Sequence, residues 1–584
     1  GFAQTGASLI NGTVSDSSGA VVPNATVIAT NQNTGVVYKQ STTETGFYAF
    51  PSLPVGTYTL TVEMRGFKTS RRTGNVLVVG TPLTVDLTLE IGEAAETITV
   101  EAGYEQLQTT NATLGNVIER KAVVDLPLNG RNPLNLLTLE PGVLQRSGQA
   151  AGTTGVNVNG ARDKAVNVTI DGIDANESSN PNPLNPNTFR VNPDAVQEFK
   201  VTTNNPTPEE GRNSGANVSV ATRSGTNEVH GSLFNFFRNT ALNSNEFFAN
   251  AQGTPKPDIK MNQYGFEIGG PVKKNRTFFF GSWQGQRLNV AQPIDQILGS
   301  TPSVYTPSAL NGVFRYFVVD PNNPFVLDGA RITRTSTLLV DPRTGALRPG
   351  VRTCASPTDA NCVASYNIFA NDPRRIGLDP AIGALLKTYP APNNYTSGDG
   401  LNTASYLWNS PYRQRGPQFL VRLDHNFNSN NTMFARYLHS DQDTLDGDPN
   451  NARPRVFPDS PPLGEVFRRS KNFALSYRRV ISPRMVNELT LGVSRFVFLF
   501  TQGEANPAFP NIPPFDFAQV SEPFTNRPRT FRAVTTPQII ENLSIITGSH
   551  VLKFGANLRF YQHNDVRGQP GGVNITPVMV FTQS

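Results

Sequence analysis

The sequence predicts a mainly β chain: a small N-terminal β-sandwich and, toward the C-terminus, antiparallel strands of the kind that cross a membrane as a barrel. Three observations carry this. Residues 551–560 set Leu552, Phe554, Ala556, Leu558 and Phe560 on one face and Lys553, Asn557 and Arg559 on the other, the period of two with an apolar outside that a barrel strand requires. Charged residues make up only 16% of the 584, while 49 Gly, 45 Pro and 9% aromatic residues describe strands joined by long turns; ordinary globular domains carry roughly a quarter charged. No apolar run approaches the roughly 18 residues of a membrane-spanning helix, and the mean hydropathy is −0.32, which alternating strands of roughly 9 to 11 residues average to.

The length implies several modules. A net charge of +5, from 50 basic and 45 acidic residues without a polybasic run, disfavours nucleic acid as a partner. The chain has no G-x-S-x-G elbow, no P-loop, and no His or Cys spacing for zinc, so neither catalysis nor a cofactor is expected. Gly1, Phe2, Ala3, Gln4 and Thr5 read as the remnant of a secretory signal, small residues around Ala3 suiting a cleavage site; the alternative is an ordinary terminus.

Residues 6–91 alternate short strand runs with turns, as a small β-sandwich does. Gly12-Thr13-Val14-Ser15-Asp16, Val22-Pro23-Asn24-Ala25 and Leu53-Pro54-Val55-Gly56-Thr57-Tyr58 followed by Gly66-Phe67 resemble the carboxypeptidase regulatory-like domain. Tyr48, Phe50, Tyr58 and Phe67 are the expected core. The resemblance implies no peptidase, since none of the five histidines has Glu three residues on.

In the linker 92–103, Glu96-Thr97-Ile98-Thr99-Val100-Glu101-Ala102 is similar to a TonB box, a segment that offers its backbone to a sheet edge of a partner by strand addition. Bracketing by Gly92 and Gly103 would leave it mobile. The same alternation also fits a last strand of the preceding sandwich.

Residues 104–225 present in order Leu126-Pro127-Leu128-Asn129-Gly130-Arg131-Asn132, Val156 to Arg162, Val168-Thr169-Ile170-Asp171-Gly172-Ile173-Asp174, Val196 to Val201, and Gly211 to Gly225. This succession resembles an α+β plug domain, with Asp171-Gly172 suited to a tight hairpin turn. From 226 to 584 the pattern is that of a partial antiparallel transmembrane β-barrel. Phe419, Val421 and Leu423 oppose Arg422, Asp424 and Asn426, and Phe473, Leu475 and Tyr477 oppose Ser476 and Arg478. The first barrel segments, His230 to Arg238, Tyr264 to Val272 and Asn275 to Trp283, resemble TonB-dependent outer-membrane receptors of the Oar-like kind. About ten such segments can be placed where plugged transporters have roughly 22 strands, so the chain is expected to hold the N-terminal part of the barrel.

A Pro- and Asn-rich stretch at about 289–415 reads as one long external loop. It contains Cys354 and Cys362, which an exported protein would join in a local disulfide, two free thiols being the alternative. The acidic run Asp441, Asp443, Asp446 and Asp448 suggests a calcium loop but fails the EF-hand register at Leu445; a plain solvated loop is the other reading.

The resemblance implies a receptor in the outer membrane of a Gram-negative-type bacterium, with sandwich and plug toward the periplasm. Its partners would be outer-membrane lipid, an external ligand the sequence does not identify, and a TonB-type energy-transducing protein with ExbB/ExbD-type proteins behind it. A second reading is an envelope-anchored adhesin or structural surface protein that binds polymer through its sandwich and loops.

Overall fold

Strand runs separated by Gly, Pro and Asn turns assemble into a sandwich, a plug and a curved wall. The computed structural model describes residues 7–93, 96–101, 112–128, 130–146, 155–162, 164–178, 189–211, 213–245, 247, 250, 256–504, 515–517, 519–524, 529–567 and 579–581. The signal-remnant residues 1–5, and Ala102 of the box, lie outside the described residues.

The sandwich comprises β1 (Ala7–Asp16), β2 (Thr26–Asn31), β3 (Val37–Ser41), β4 (Phe47–Pro54), β5 (Gly56–Glu63), β6 (Thr69–Leu77), β7 (Leu83–Thr84), β8 (Leu87–Leu89) and β9 (Thr97–Glu101). One sheet has β4, β1 and β7 in order with β8 also on β1; the other runs β3-β2-β5-β6-β9. Alternation buries Ile10 and Val14 of β1 against Tyr48, Phe50, Tyr58 and Leu60, with Phe67 packed at the margin. The buried phenols keep partners, Tyr48 Oη donating to the Val85 carbonyl at 2.6 Å and Tyr58 Oη to that of Pro54 at 2.8 Å, as burying an amphipathic ring requires.

The plug is built from β10 (Leu114–Glu119), β11 (Val143–Arg146), β12 (Gly155–Val158), β13 (Asn167–Ile170), β14 (Ile173–Asp174), β15 (Val196–Asn204) and β16 (Asn217–Thr222), with a short helix over Arg120–Asp125. Its main sheet has the order β10-β15-β16-β13-β14. Asp171 (φ 46°) and Gly172 (φ 84°) join β13 to β14, two consecutive left-handed residues, the pair a tight antiparallel hairpin demands.

The wall is a ten-stranded sheet. Its members are β17 (His230–Asn239), β18 (Ile259–Lys273), β19 (Thr277–Pro293), β26 (Asn409–Asn428), β27 (Asn431–Leu445), β28 (Val466–Ser482), β29 (Met485–Phe500), β31 (Thr530–Thr547), β32 (His550–Arg559) and β33 (Gln562–Arg567). Consecutive members pair antiparallel, and β32 and β33 both lie along β31. Among the described residues β17 is one edge of the sheet, and β32 with β33 end to end along β31 is the other. Leu552, Phe554, Leu558 and Phe560 of the reading above are exposed on the outer face, as are Val421, Leu423 and Phe473, whereas Lys553 and Asn557 meet Glu209 and Gln538 inside. This is a lipid-facing exterior and a polar interior.

Turns at one end of the wall are short, for example Ser429-Asn430 between β26 and β27, and connections at the other are long. The longest joins β19 to β26 through residues 294–408, so barrel strands extend past both limits of the expected loop. It contains β20 (Ser303–Tyr305), β21 (Val313–Val318), β22 (Val326–Leu327), β23 (Ala330–Arg331), β24 (Cys362–Asn367) and β25 (Thr403–Ser405), and a core of its own around Phe317, Leu339, Val363 and Leu401. A second cluster joins Val304 and Tyr389 to Phe457 and Val520 of the other long connections. The remaining strands, β30 (Phe515–Phe517) and β34 (Met579–Phe581), pair in parallel.

The plug sits inside the wall and the sandwich caps the short-turn end. Thr43 Oγ1 donates to Gly548 O at 3.0 Å, Ser52 Oγ to Glu488 Oε2 at 2.5 Å, and Asn227 Nδ2 to Thr34 O at 2.8 Å. Inside, Ile173 packs with Ala474 and Ile540 opposite Gly492 of β29, where a Cβ would lie 2.2 Å from Ile173 Cδ1 and 2.6 Å from Cγ1. The wall reaches the hairpin only because that position has no side chain. Gly492→Ala is therefore expected to destabilise the seated plug by about 1–3 kcal/mol. Gly281→Ala on β19, where nothing lies within 4 Å, should change stability by less than about 0.5 kcal/mol. Urea midpoints of the two variants in detergent check the contrast.

Candidate functional site

Two places bear on what the chain does: the seat of the plug hairpin in the wall and the sheet edge that carries residues 97–101. The hairpin turn aims the Asp171 carboxylate, 1% exposed, at two inward-facing arginines. Arg436 Nε donates to Asp171 Oδ2 at 2.9 Å and its Nη2 to the Ile170 carbonyl at 2.9 Å, while Nη1 donates to Asn472 Oδ1 at 2.6 Å. Arg422 Nη1 lies 3.4 Å from Asp171 Oδ1, and its other nitrogens clasp Asp424 at 2.8 to 3.2 Å. Thr222, at the end of β16, gives Asp171 two further bonds, from its N–H at 3.0 Å and its hydroxyl at 2.8 Å. The hairpin's other end is held too: Gln538 accepts from the Asp174 N–H at 2.9 Å, and Asn472 Nδ2 donates to the Asp174 carbonyl at 3.1 Å.

Nearer the β17 edge a second charged group joins plug to wall. Glu267 of β18 receives Arg223 and, at 3.4 Å, Arg120, and Arg131 pairs with Asp194. The Arg131 guanidinium lies 4.1 Å from the Phe236 ring centroid and 4.6 Å from that of Phe234. Arg131 belongs to the Leu126 to Asn132 motif, so this motif has a physical role as the plug's stacked cation. Arg422 was legible as a polar-face residue of its strand, but Arg436 and Glu267 were not singled out. The available signal was a charge at an inward position of a barrel strand, which is costly unless met by a partner inside.

Residues 97–101 form β9, paired in parallel with β6 from Thr69↔Thr97 to Thr73↔Glu101. The Thr69 N–H donates to the Glu96 carbonyl at 2.8 Å, and Lys68 Nζ lies 2.9 Å from Glu96 Oε2. The expected mobile segment is thus docked as the last strand of the sandwich sheet, with its other edge unpaired among the described residues. Backbone groups alternate along a strand; with Glu96 turned to β6, Ile98 and Val100 face β6 and Thr97, Thr99 and Glu101 present their N–H and C=O groups at the open edge.

Cys354 and Cys362 lie with Cα atoms 5.1 Å apart and their sulfurs bonded, in the long connection where Cys354 N also donates to Val363 O at 3.0 Å. The four acidic candidates do not converge. Asp441 and Asp443 are on the outward face of β27, beside His439 and Arg469, whereas Asp446 pairs with Arg413 and buried Asp448 with Arg468. Alternation turns Asp441 and Asp443 outward, Asp446 and Asp448 lie in the connection beyond Leu445, each on an arginine of its own, and among the described residues no three His, Cys, Asp or Glu side chains gather for a metal.

Sandwich and plug are latched at β15. Glu198 accepts from the Val79 N–H, and Lys200 Nζ donates to the Gly80 carbonyl at 2.6 Å. Burial raises the Glu198 carboxyl from 4.5 to about 7, the Val79 N–H opposing this and Glu119 adding to it. With the folded value raised, this group's contribution is present in full below about pH 4.5 and is lost as pH rises through about 7, by at most about 3 kcal/mol. Glu198→Gln keeps an acceptor for Val79 and removes the titration. Its denaturation midpoint should therefore fall less than the wild type's between pH 5 and pH 8, as parallel urea titrations would show.

At the seat, Asp171→Asn leaves Arg436 buried without its carboxylate. A loss of about 3–5 kcal/mol is expected, the usual cost of breaking a buried pair from one side, read as faster hydrogen exchange of residues 167–176 under native conditions.

Three family profiles cover the chain in succession. Residues 9–90 match the Carboxypeptidase regulatory-like domain, 106–218 the TonB-dependent Receptor Plug Domain, and 221–583 the Outer membrane beta barrel domain. The TonB-dependent transporter Oar of Myxococcus xanthus is 28% identical over 396 residues, 60% of this chain and 36% of that protein, so the match spans little more than a third of the relative's length. Among solved structures, the outer membrane transporter YddB from Escherichia coli superposes with a TM-score of 0.45 at 11% identity, over 77% of this chain and 48% of that one. A mutant ferric enterobactin receptor of Pseudomonas aeruginosa in complex with enterobactin gives 0.36 at 12%, over 78% and 60%. The barrel and plug domains place the chain in the Gram-negative outer membrane with its plug on the periplasmic side, which makes the short-turn end periplasmic and the long connections external. With the barrel profile covering more than half of it, the chain belongs to the outer membrane beta barrel family, in the Oar-like TonB-dependent receptor arrangement of regulatory-like sandwich, plug and barrel.

Proposed function

We propose that the chain serves energy-coupled uptake: an external ligand is met by the long connections and the outer side of the plug, and a periplasmic TonB-type protein pulls on residues 96–102 to move the plug. The observation that carries this reading is the placement of β9. It presents an open strand edge at the periplasmic end, the arrangement strand addition needs, and it directly precedes the plug in the chain. Proton-gradient energy would arrive through ExbB/ExbD-type partners of the TonB-type protein, so no nucleotide site is required here. The Cys354–Cys362 bridge serves the external connection in this reading, closing a short loop at the margin of its core.

Open-edge and docked-edge residues make the proposal testable without knowing the ligand. Proline removes a backbone donor and fixes φ. Thr99→Pro removes a donor at the open edge and Val100→Pro one that faces β6. Binding of the purified protein to the periplasmic domain of a TonB-type protein, measured by surface plasmon resonance, should weaken at least roughly tenfold for Thr99→Pro, about the 1.4 kcal/mol that one lost backbone bond costs. Val100→Pro should lose β6 docking and, by breaking the same strand, also lose binding. Unchanged affinity in both variants would discard residues 96–102 as the partner segment and favour the anchored-adhesin reading.

A further inference from the structure

Arg478 projects from the inward face of β28 near the periplasmic end and is 5% exposed. Its Nε, Nη1 and Nη2 have no hydrogen-bond partner among the described residues. The guanidinium borders a cavity of about 150 Å³ where all three modules meet, with Asn31 and Tyr38 from the sandwich, Thr222 from the plug, and Thr432 and Ser476 from the wall. The Tyr38 ring centroid lies 5.3 Å from the guanidinium carbon, which supplies a π face but no acceptor.

Asp171, Asp424 and Glu488 also line the cavity, and none of them bonds Arg478. Asp424 is clasped by Arg422, and Asp171 is shared by Arg436, Arg422 and Thr222. Glu488 is within electrostatic reach of Arg478, but its two oxygens accept from Ser52 at 2.5 Å and Ser476 at 3.1 Å. A buried guanidinium with five N–H donors and no acceptor is a costly arrangement, and its planar fork fits two oxygens of one anion. At about 150 Å³ the cavity has room for a tetrahedral oxyanion with water and falls short of the usual roughly 300 Å³ or more of small-molecule sites. Exposed Asn33 at its margin gives access from the periplasmic side.

We propose that this cavity is a binding site for inorganic phosphate, held bidentate by Arg478 beneath Tyr38. Phosphate is favoured over sulfate because of Glu488. Each carboxylate oxygen has a lone pair left after one hydrogen bond, so an anion that still carries protons donates to Glu488 while accepting from Arg478, whereas sulfate would meet that carboxylate with oxygens alone. Because the lining comes from three modules, occupancy ties sandwich to wall and stabilises the capped arrangement by mass action. The site is independent of uptake and of the identity of the transported ligand.

The test is equilibrium dialysis of radiolabelled inorganic phosphate against the purified full-length protein in detergent, at constant ionic strength in chloride, with sulfate as competitor. One saturable site per chain is expected, competed only weakly by sulfate. Affinity should fall at least tenfold in Arg478→Gln, and fall less in Arg478→Lys, which keeps the charge and loses the fork. Tyr38→Leu should weaken binding several-fold. Absence of saturable binding by the wild type overturns the proposal, as does binding that Arg478→Gln leaves unchanged, which would mean an adventitious ion only. Should Arg478→Gln fail to assemble, the wild-type titration and the Arg478→Lys affinity decide, a lysine variant equal to wild type counting against the site.

Discussion

The Asp171 carboxylate between Arg436 and Arg422 is the constraint on which the relation of plug to wall depends. Three charges removed from water are tolerated only where nearly every donor and acceptor finds a partner. Here Asp171 takes the two arginines and two groups of Thr222, while Arg436 also satisfies the Ile170 carbonyl and Asn472. Such a cluster contributes less net stability than its distances suggest, since desolvation offsets the Coulombic gain. What it does fix is position. Shifting the hairpin along the wall by one residue would carry Asp171 away from both arginines, since inward-facing positions recur only at every second residue of a barrel strand.

The sandwich is held by a different kind of contact. Thr43 and Ser52 of the sandwich donate to the wall, while Asn227 and the plug's Lys200 donate to the sandwich carbonyls of Thr34 and Gly80, each bond of the order of 0.5–1.5 kcal/mol, more where a charged group takes part. Cap and seat therefore differ in how readily they let go. Held by separate hydrogen bonds and not by a shared ionic cluster, the cap can separate while the buried seat stays closed, and the Glu198 carboxyl gives that cap a dependence on pH that the hydroxyl contacts lack.

Much of this was legible in the sequence because strands declare themselves locally. The alternation at 551–560 placed Leu552 and Phe554 outside and Lys553 and Asn557 inside, and Asp171-Gly172 declared a turn that only left-handed backbone can make. What stayed illegible depends on register between distant strands. Nothing local says that Asp171 will meet Arg436, 265 positions away, or that Glu198 will meet Val79. Residues 97–101 show the limit from the other side: one alternating pattern fits both a docked sandwich strand and a segment offered to a partner, and the pairing with β6 depended on whether that neighbouring edge was free. The acidic run shows the same limit as the arginines, since spacing along the chain does not say which partner each carboxylate meets.

The order of strands in the plug adds a mechanical consequence. A pull on the chain between Glu101 and Leu114 is delivered to β10, at one edge of the sheet β10-β15-β16-β13-β14, whereas the Asp171 hairpin is at the other edge. At roughly 4.8 Å between neighbours, the loaded strand and the seat are about 19 Å apart across the sheet. Residues 102–113 reach at most about 45 Å when extended, so any larger displacement of Glu101 loads β10 directly. An edge strand peeled from its end breaks its bonds to β15 in sequence, a few at a time, while moving the hairpin would require parting three buried charges at once. Under such a load β10 would part from β15 before the hairpin leaves its seat, with the Arg120–Glu267 pair of the adjoining helix as the contact that holds this side to the wall.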